Sequence, residues 1–169
     1  MHFIAIGGAG MRGVARAYAE LGAEVSGSDQ VNSTRLESLS AMGVRTWVGH
    51  DPSHVHGART VVVSSAIHDD NPELVEARRL GLRIWHRSAA LAALMLGRQG
   101  VSVAGTHGKT TTSAIIASIL TDAGMDPSYV IGSPLATSGR SAHLGRGDAF
   151  VVEADESDGS FLQLSLIHI

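Results

Sequence analysis

The segment Gly105-Thr106-His107-Gly108-Lys109-Thr110-Thr111-Thr112 constrains the fold more than any other stretch of the chain. The apolar run 101–104 before it reads as a short buried strand, and the apolar run 113–120 after it reads as a helix. A strand, a glycine turn and a helix opening on Gly-Lys-Thr make a cradle for phosphate. Glycines let backbone N–H groups point inward, and the helix N-terminus adds partial positive charge. Lys109 then reaches the outer phosphates, and the Thr110 hydroxyl is placed to ligate Mg²⁺. The usual pattern has about four residues between its first glycine and Gly-Lys. Here only two separate Gly105 from Gly108, and Val103 occupies the usual first-glycine position. The alternative, a plain glycine turn with a surface lysine, is opposed by the flanking strand and helix patterns.

Apolar runs alternate with helical patterns through the rest of the chain. Strands are expected over 2–6, 24–28, 45–48, 60–64 and 82–85, and helices over 11–21, 32–42, 72–80 and 88–96. Asn71-Pro72 supplies an N-cap and first-turn pair. Asn32 or Ser33 caps the earlier helix, with Leu36 and Leu39 facing inward. Repeated βα units imply an α/β fold, a Rossmann-like parallel sheet with helices on both faces and right-handed crossovers. A second strand–glycine–helix start places a boundary near residue 98, giving a first domain 1–98 and a P-loop unit 99–169. In that second unit strands are expected only over 101–104 and 149–152, with a loop over 132–147. Two strands leave open sheet edges, so the second half is expected to be the less stable.

A second glycine turn, Gly7-Gly8-Ala9-Gly10-Met11-Arg12-Gly13, joins the first strand to the first helix. Gly8-x-Gly10-x-x-Gly13 matches the dinucleotide fingerprint. The register Ala5-x-Gly7-x-x-Gly10 fits the strand end better but has alanine for its first glycine. Asp29 ends the second strand about twenty residues on, where a ribose-binding acid belongs. The pattern argues for a nucleotide diphosphate at the helix start without identifying the base. A tight βα turn with a solvated Asp29 is the competing reading.

Val151-Val152-Glu153-Ala154-Asp155-Glu156-Ser157-Asp158 ends an apolar strand in carboxylates. An acid at a strand end beside a P-loop completes a Mg²⁺ site, because hard cations prefer oxygen. Glu153 and Asp155 project to one side of an extended strand and Glu156 to the other. The competing reading is a solvated acidic turn. His54-x-His56 lies in a Pro/Gly/His loop with no third ligand, so a solvent-exposed loop is expected there. Ser64-Ser65 follows the valine-rich strand, where substrate contact and helix capping are both open. The roles of His107 and His143 are open as well. Leu91, Leu94 and Met95 read as ordinary core.

Net charge of −3 argues against a general nucleic-acid binder. The absence of cysteine excludes disulfides and thiolate metal sites and fits a cytoplasmic setting. Residues 1–6 run directly into a glycine turn, unlike a signal peptide, and the longest near-apolar stretch, 89–97, is too short to cross a bilayer. No oligomeric state follows from the sequence.

Taken in order, Gly7-Gly-Ala-Gly-Met11, Ser26-Gly-Ser-Asp29, Val63-Ser-Ser-Ala-Ile67, Asn71-Pro-Glu-Leu74, Ala104-Gly-Thr-His-Gly-Lys-Thr-Thr-Thr112 and Glu153-Ala-Asp-Glu-Ser-Asp158 resemble the Mur ligases of bacterial cell-wall synthesis. The resemblance covers roughly residues 2 to 165, and the short P-loop is that family's own variant. It implies ATP-dependent amide formation, in which ATP phosphorylates the carboxylate of UDP-N-acetylmuramate and the amine of L-alanine attacks the acyl phosphate. It also implies that the turn at Gly7, Gly8, Ala9, Gly10 and Met11, with Asp29, Ser64 and Ser65, holds a UDP-sugar. By the same carry-over Gly105, Thr106, His107, Gly108, Lys109, Thr110 and Thr111 hold ATP, Lys109 and Glu153 are catalytic, and Thr110 and Glu153 ligate Mg²⁺.

Ser157 stands where the muropeptide-recycling branch typically has tyrosine, which favours the alanine-adding branch. Ala5, Ser133 and Ser141 replace a glycine, a glycine and an asparagine usual in the family. After Ser165 the pattern breaks off at Leu166-Ile-His-Ile169, so the resemblance implies an N-terminal fragment, without the amino-acid-binding domain and inactive by itself. The alternatives are the muropeptide-recycling ligase and an NAD(P)-binding oxidoreductase. The latter has no use for Lys109 or the acidic cluster.

Overall fold

A computed structural model describes residues 1–154. The first half is built from five strands, β1 (His2–Ile4), β2 (Ser26–Asp29), β3 (Arg45–Val48), β4 (Thr60–Val63) and β5 (Arg83–His86). They form a wholly parallel sheet in the order β3-β2-β1-β4-β5. Helices α1 (Ala9–Glu20), α2 (Thr34–Ser40) and α3 (Pro72–Arg79) fill three of the crossovers, a short 3-10 turn at Pro52–Val55 lies in the one from β3 to β4, and α4 (Arg87–Leu94) follows β5. The chain moves outward from β1 through β2 to β3, then returns to lay β4 on the other side of β1. Ligands of such sheets bind beyond the strand ends where the winding reverses. The glycine turn after β1 and Ser64-Ser65 after β4 both lie there.

Local sequence sets the helix starts. Ser33 Oγ accepts the Leu36 N–H at 3.3 Å. Asn71 Oδ1 accepts Glu73 N–H at 3.0 Å and Leu74 N–H at 3.2 Å, with Pro72 in the first turn. Each cap answers donors that the helix itself leaves open. Ala5 takes a left-handed φ of 59°, a conformation that costs a residue with a Cβ about 1–2 kcal/mol. The strain falls at the position where the resemblance implies glycine.

The second half departs from the two-strand expectation. Strands β6 (Gln99–Val103), β7 (Ser128–Val130), β8 (Ala142–His143) and β9 (Ala149–Glu153) form a sheet in the order β6-β9-β7-β8. β9 is flanked on both sides by parallel partners, and β8 adds an antiparallel edge. The expected 132–147 loop therefore contains a strand. Helix α5 (Lys109–Asp122) packs on this sheet through Ala117, against Tyr129, Ile131, Leu135 and Val151. Arg98 ties the layer together, with Nη1 donating to Ser128 Oγ at 2.7 Å, Gly147 O at 2.9 Å and Gly145 O at 3.0 Å.

The two sheets share a core. Met11, Val14 and Ala17 of α1 and Leu91 and Leu94 of α4 belong to one buried cluster with Phe3 and Val62 of the first sheet and Val130, Phe150 and Val152 of the second. The opposite face of the first sheet packs Ile4 and Val61 against Val55, Leu74 and Ala77.

The loop after β3 overturns the expected solvent-exposed histidines. His54 stacks on Trp47 with ring centroids 4.6 Å apart and donates through Nδ1 to Glu73 Oε1 at 2.7 Å. Glu73 is fully buried. Its other oxygen receives Ser28 Oγ at 2.5 Å and His50 Nδ1 at 3.1 Å, and His2 Nε2 lies 3.6 Å away. Burial opposes the charge on Glu73, yet His2, Ser28 and His54 together bring its pKa down to about 2. Only His56 remains exposed, paired with Glu76 at 3.0 Å.

Candidate functional site

The P-loop spans residues 104–108, between the end of β6 and the start of α5. Gly108 caps α5 in the left-handed region, at φ 80°, with no side-chain cap bond. A bare left-handed cap leaves the first N–H groups of the helix facing the concave side of the turn, where an anion is stabilised. Lys109 Nζ donates to the Gly105 carbonyl at 2.6 Å, which holds the ammonium back over the turn. Ser113 Oγ, one helical turn later, donates to Lys109 O at 2.8 Å. Thr106 and His107 are exposed in the turn, and Thr111 is exposed on α5.

Glu153 ends β9 directly beside Val103, the last residue of β6. Parallel pairing thus brings the carboxylate to the P-loop. Thr110 Oγ1 donates to Glu153 Oε2 at 3.0 Å, and Gly132 N–H donates to Oε1 at 2.7 Å. A Cβ on Gly132 would sit 3.0 Å from both Glu153 Oε2 and Thr110 Oγ1, so a side chain here would press on both oxygens. A hydroxyl and a carboxylate oxygen side by side next to a phosphate cradle fit Mg²⁺, which is held by one or two protein oxygens plus phosphates and water. Asp155, Glu156 and Asp158 lie outside the described residues.

The first glycine turn is closed from below by its acid. Gly7 N–H donates to Asp29 Oδ2 at 2.8 Å, and Val31 N–H reaches Oδ1 at 3.4 Å. Asp29 therefore braces the turn and is not simply solvated. Gly8 caps α1, and Ala9, Gly10 and Met11 form its first turn. Ser64 and Ser65 lie in the turn after β4 and cap nothing, because Asn71 caps the helix that follows.

Both glycine turns face one cleft of about 220 Å³, lined by Ala9 and Gly10 from the first and by Lys109, Gly132 and Glu153 around the second. Arg87, the first residue of α4, lines it too, and a Cβ on Gly10 would collide with its guanidinium. Sequence reasoning missed Arg87 and the Gly132 N–H. Each is brought in by tertiary packing and has no local pattern. His143 turns out to pack against Tyr129 and to pair with Asp126 at 3.1 Å, outside the cleft lining.

Residues 1–99 match the Mur ligase family, catalytic domain. The UDP-N-acetylmuramate–L-alanine ligase of Cutibacterium acnes is 76% identical over 163 residues, which are 96% of this chain and 35% of that protein. The enzyme of the same name from Thermobifida fusca is 59% identical over 165 residues, 98% of this chain and 35% of its own length. Among solved structures, the UDP-N-acetylmuramate-alanine ligase from Thermotoga maritima aligns with a TM-score of 0.88 at 31% identity, covering 97% of this chain and 39% of that one. The UDP-N-acetylmuramate:L-alanyl-gamma-D-glutamyl-meso-diaminopimelate ligase from Neisseria meningitides aligns at 0.85 and 32% identity, covering 92% of this chain and 52% of that one. The chain spans about a third of the length of the curated relatives it matches.

Proposed function

The chain belongs to the Mur ligase family, and we propose that it gathers UDP-N-acetylmuramate and ATP for an ATP-dependent ligase that adds L-alanine. The observation that carries this reading is the shared cleft: Gly10, Lys109 and Glu153 line one cavity. A sugar-nucleotide held at the first turn would then meet the outer phosphate of ATP held at the second. Residues 1–98 serve as the UDP-sugar domain and residues from 99 onward as part of the ATP-binding domain. The substrates imply a cytoplasmic setting. Among the described residues no helix is long and apolar enough to cross a membrane.

The chemistry assigned to these residues is positioning and charge neutralisation. Gly7, Gly8, Ala9, Gly10 and Met11 cradle the UDP diphosphate at the start of α1, with Asp29 bracing the turn and Ser64 and Ser65 across the switch point. Lys109 leaves its resting bond to Gly105 and neutralises the outer phosphate. Thr110 and Glu153 would hold Mg²⁺, whose charge would add to the neutralisation of the phosphates. A muramate carboxylate oxygen attacks the terminal phosphorus and ADP leaves. The alanine amine then attacks the acyl carbon and phosphate leaves, having taken over the carboxylate oxygen. No residue in 1–154 is assigned to L-alanine.

The relatives at 76% and 59% identity support the alanine-adding reaction over the muropeptide-recycling one. An oxidoreductase built on the first sheet would leave Lys109, Thr110 and Glu153 without a role. Calorimetry separates these readings. UDP-N-acetylmuramate titrated into the chain is expected to bind with sub-millimolar affinity, and NADH is expected not to bind. NADH binding with no response to the sugar-nucleotide contradicts the proposal.

A further inference from the structure

A second cavity, also about 220 Å³, opens between α1, α2 and the segment 134–141 that connects β7 to β8. It shares no lining residue with the cleft between the glycine turns. Its walls carry Arg12, Arg16 and Arg35, with the hydroxyl-bearing Thr34, Ser38 and Ser141 among them. Arg16 is answered by Glu20, one helical turn along α1, at 3.0 Å. Among the described residues Arg12 and Arg35 have no carboxylate partner within ion-pair distance. Bringing guanidinium groups together is unfavourable without a counter-charge. Burial and the neighbouring Arg35 and Arg16 all work to lower the pKa of Arg12.

We propose that this pocket is a second anion site, distinct from the nucleotide cleft, that takes a small phosphate-bearing anion between the guanidinium groups of Arg12 and Arg35. Arginine's planar fork suits phosphate oxygens, and the Thr34 and Ser141 hydroxyls offer further donors, whereas Ser38 Oγ already donates to the Arg35 carbonyl at 2.7 Å. The volume far exceeds the ~10–15 Å³ that a single water needs. No aromatic side chain lines the pocket, so nothing there stacks a base, and recognition rests on the phosphates alone. Because its walls come from both halves of the chain, an anion bound there also holds α1 and α2 to the 134–141 segment. The inference does not depend on the proposed ligase reaction.

The probe is inorganic pyrophosphate, titrated calorimetrically without Mg²⁺ into the Lys109→Ala chain, whose P-loop has lost its ammonium. Binding is expected to persist in that background and to weaken with added salt. Arg12→Ala with Arg35→Ala should reduce the affinity tenfold or more. Ser38→Glu, on the exposed side of α2, should do the same by setting a carboxylate into the pocket without touching the core. It decides the matter if the double arginine variant misfolds. No binding at millimolar pyrophosphate in the Lys109→Ala chain overturns the proposal. Affinity unchanged by Ser38→Glu, or by the arginine changes in a folded chain, overturns it as well.

Discussion

Lys109→Ala, in a full-length ligase carrying this segment, lowers ATP-dependent ligation by a factor on the order of 10² or more. Removing one preorganised charge from a transferring phosphoryl group costs roughly 2.7–4 kcal/mol of transition-state stabilisation. The fold should survive, because among the described residues the Lys109 ammonium bonds only to the Gly105 carbonyl, in a turn open to solvent. Steady-state rates at saturating ATP, with circular dichroism of the variant beside the wild type, give the result. Near-normal turnover in a folded variant would remove Lys109 from the catalytic role. Lys109→Arg discriminates further. A bulkier, planar guanidinium in place of the compact ammonium should recover little, since phosphate neutralisation depends on position as well as sign.

The second large effect is on stability. Glu73→Gln keeps the size of the side chain and deletes its charge. The carboxylate is fully buried and bonded to Ser28, His50 and His54. Breaking such a buried cluster by removing one partner costs about 3–5 kcal/mol. The sign with pH follows from the direction of the shift. Glu73 falls from its ordinary value to about 2 in the folded chain, so its contribution is fully present above the unfolded carboxyl value. It is lost as pH falls from about 4.5 towards 2. Urea unfolding should show the variant less stable by about 3 kcal/mol at pH 7, with the gap narrowing at pH 3. Equal stability at pH 7 would mean that the cluster contributes nothing net. The cluster also matters for the site. Ser28 precedes Asp29, and His50 follows β3, so Glu73 braces the strand ends that support the first glycine turn.

What could be read from the sequence was local. The P-loop was visible because its strand, glycines and helix lie within about twenty residues, and each has its own pattern. Asn71 and Ser33 could be placed as caps because capping is chemistry at fixed short offsets. Asp29 stood out by its distance along the chain from the glycine turn, as a candidate ribose-binding acid, and its bond to the Gly7 N–H was not foreseen. β7 and β8 were missed because they are short, at Ser128–Val130 and Ala142–His143, and exist by pairing with each other and with β9. His54 was misjudged because the residue that buries it, Glu73, is on a different element. Arg87 and the Gly132 N–H reach the cleft through tertiary packing alone, and nothing around either in the chain announces a site.

The shared cleft itself can be tested by metal-dependent relaxation. Mn²⁺ takes the same kind of oxygen ligands as Mg²⁺ and is paramagnetic, so it broadens nearby phosphorus resonances steeply with proximity. Phosphorus NMR of UDP-N-acetylmuramate bound to this chain, with a non-hydrolysable ATP analogue and Mn²⁺, reports whether the two glycine turns hold their ligands together. Both UDP phosphorus resonances should broaden strongly relative to the Mg²⁺ sample, and Glu153→Gln should restore much of their sharpness. Bound sugar-nucleotide whose resonances stay as sharp with Mn²⁺ as with Mg²⁺ would contradict a single cleft shared by the two substrates.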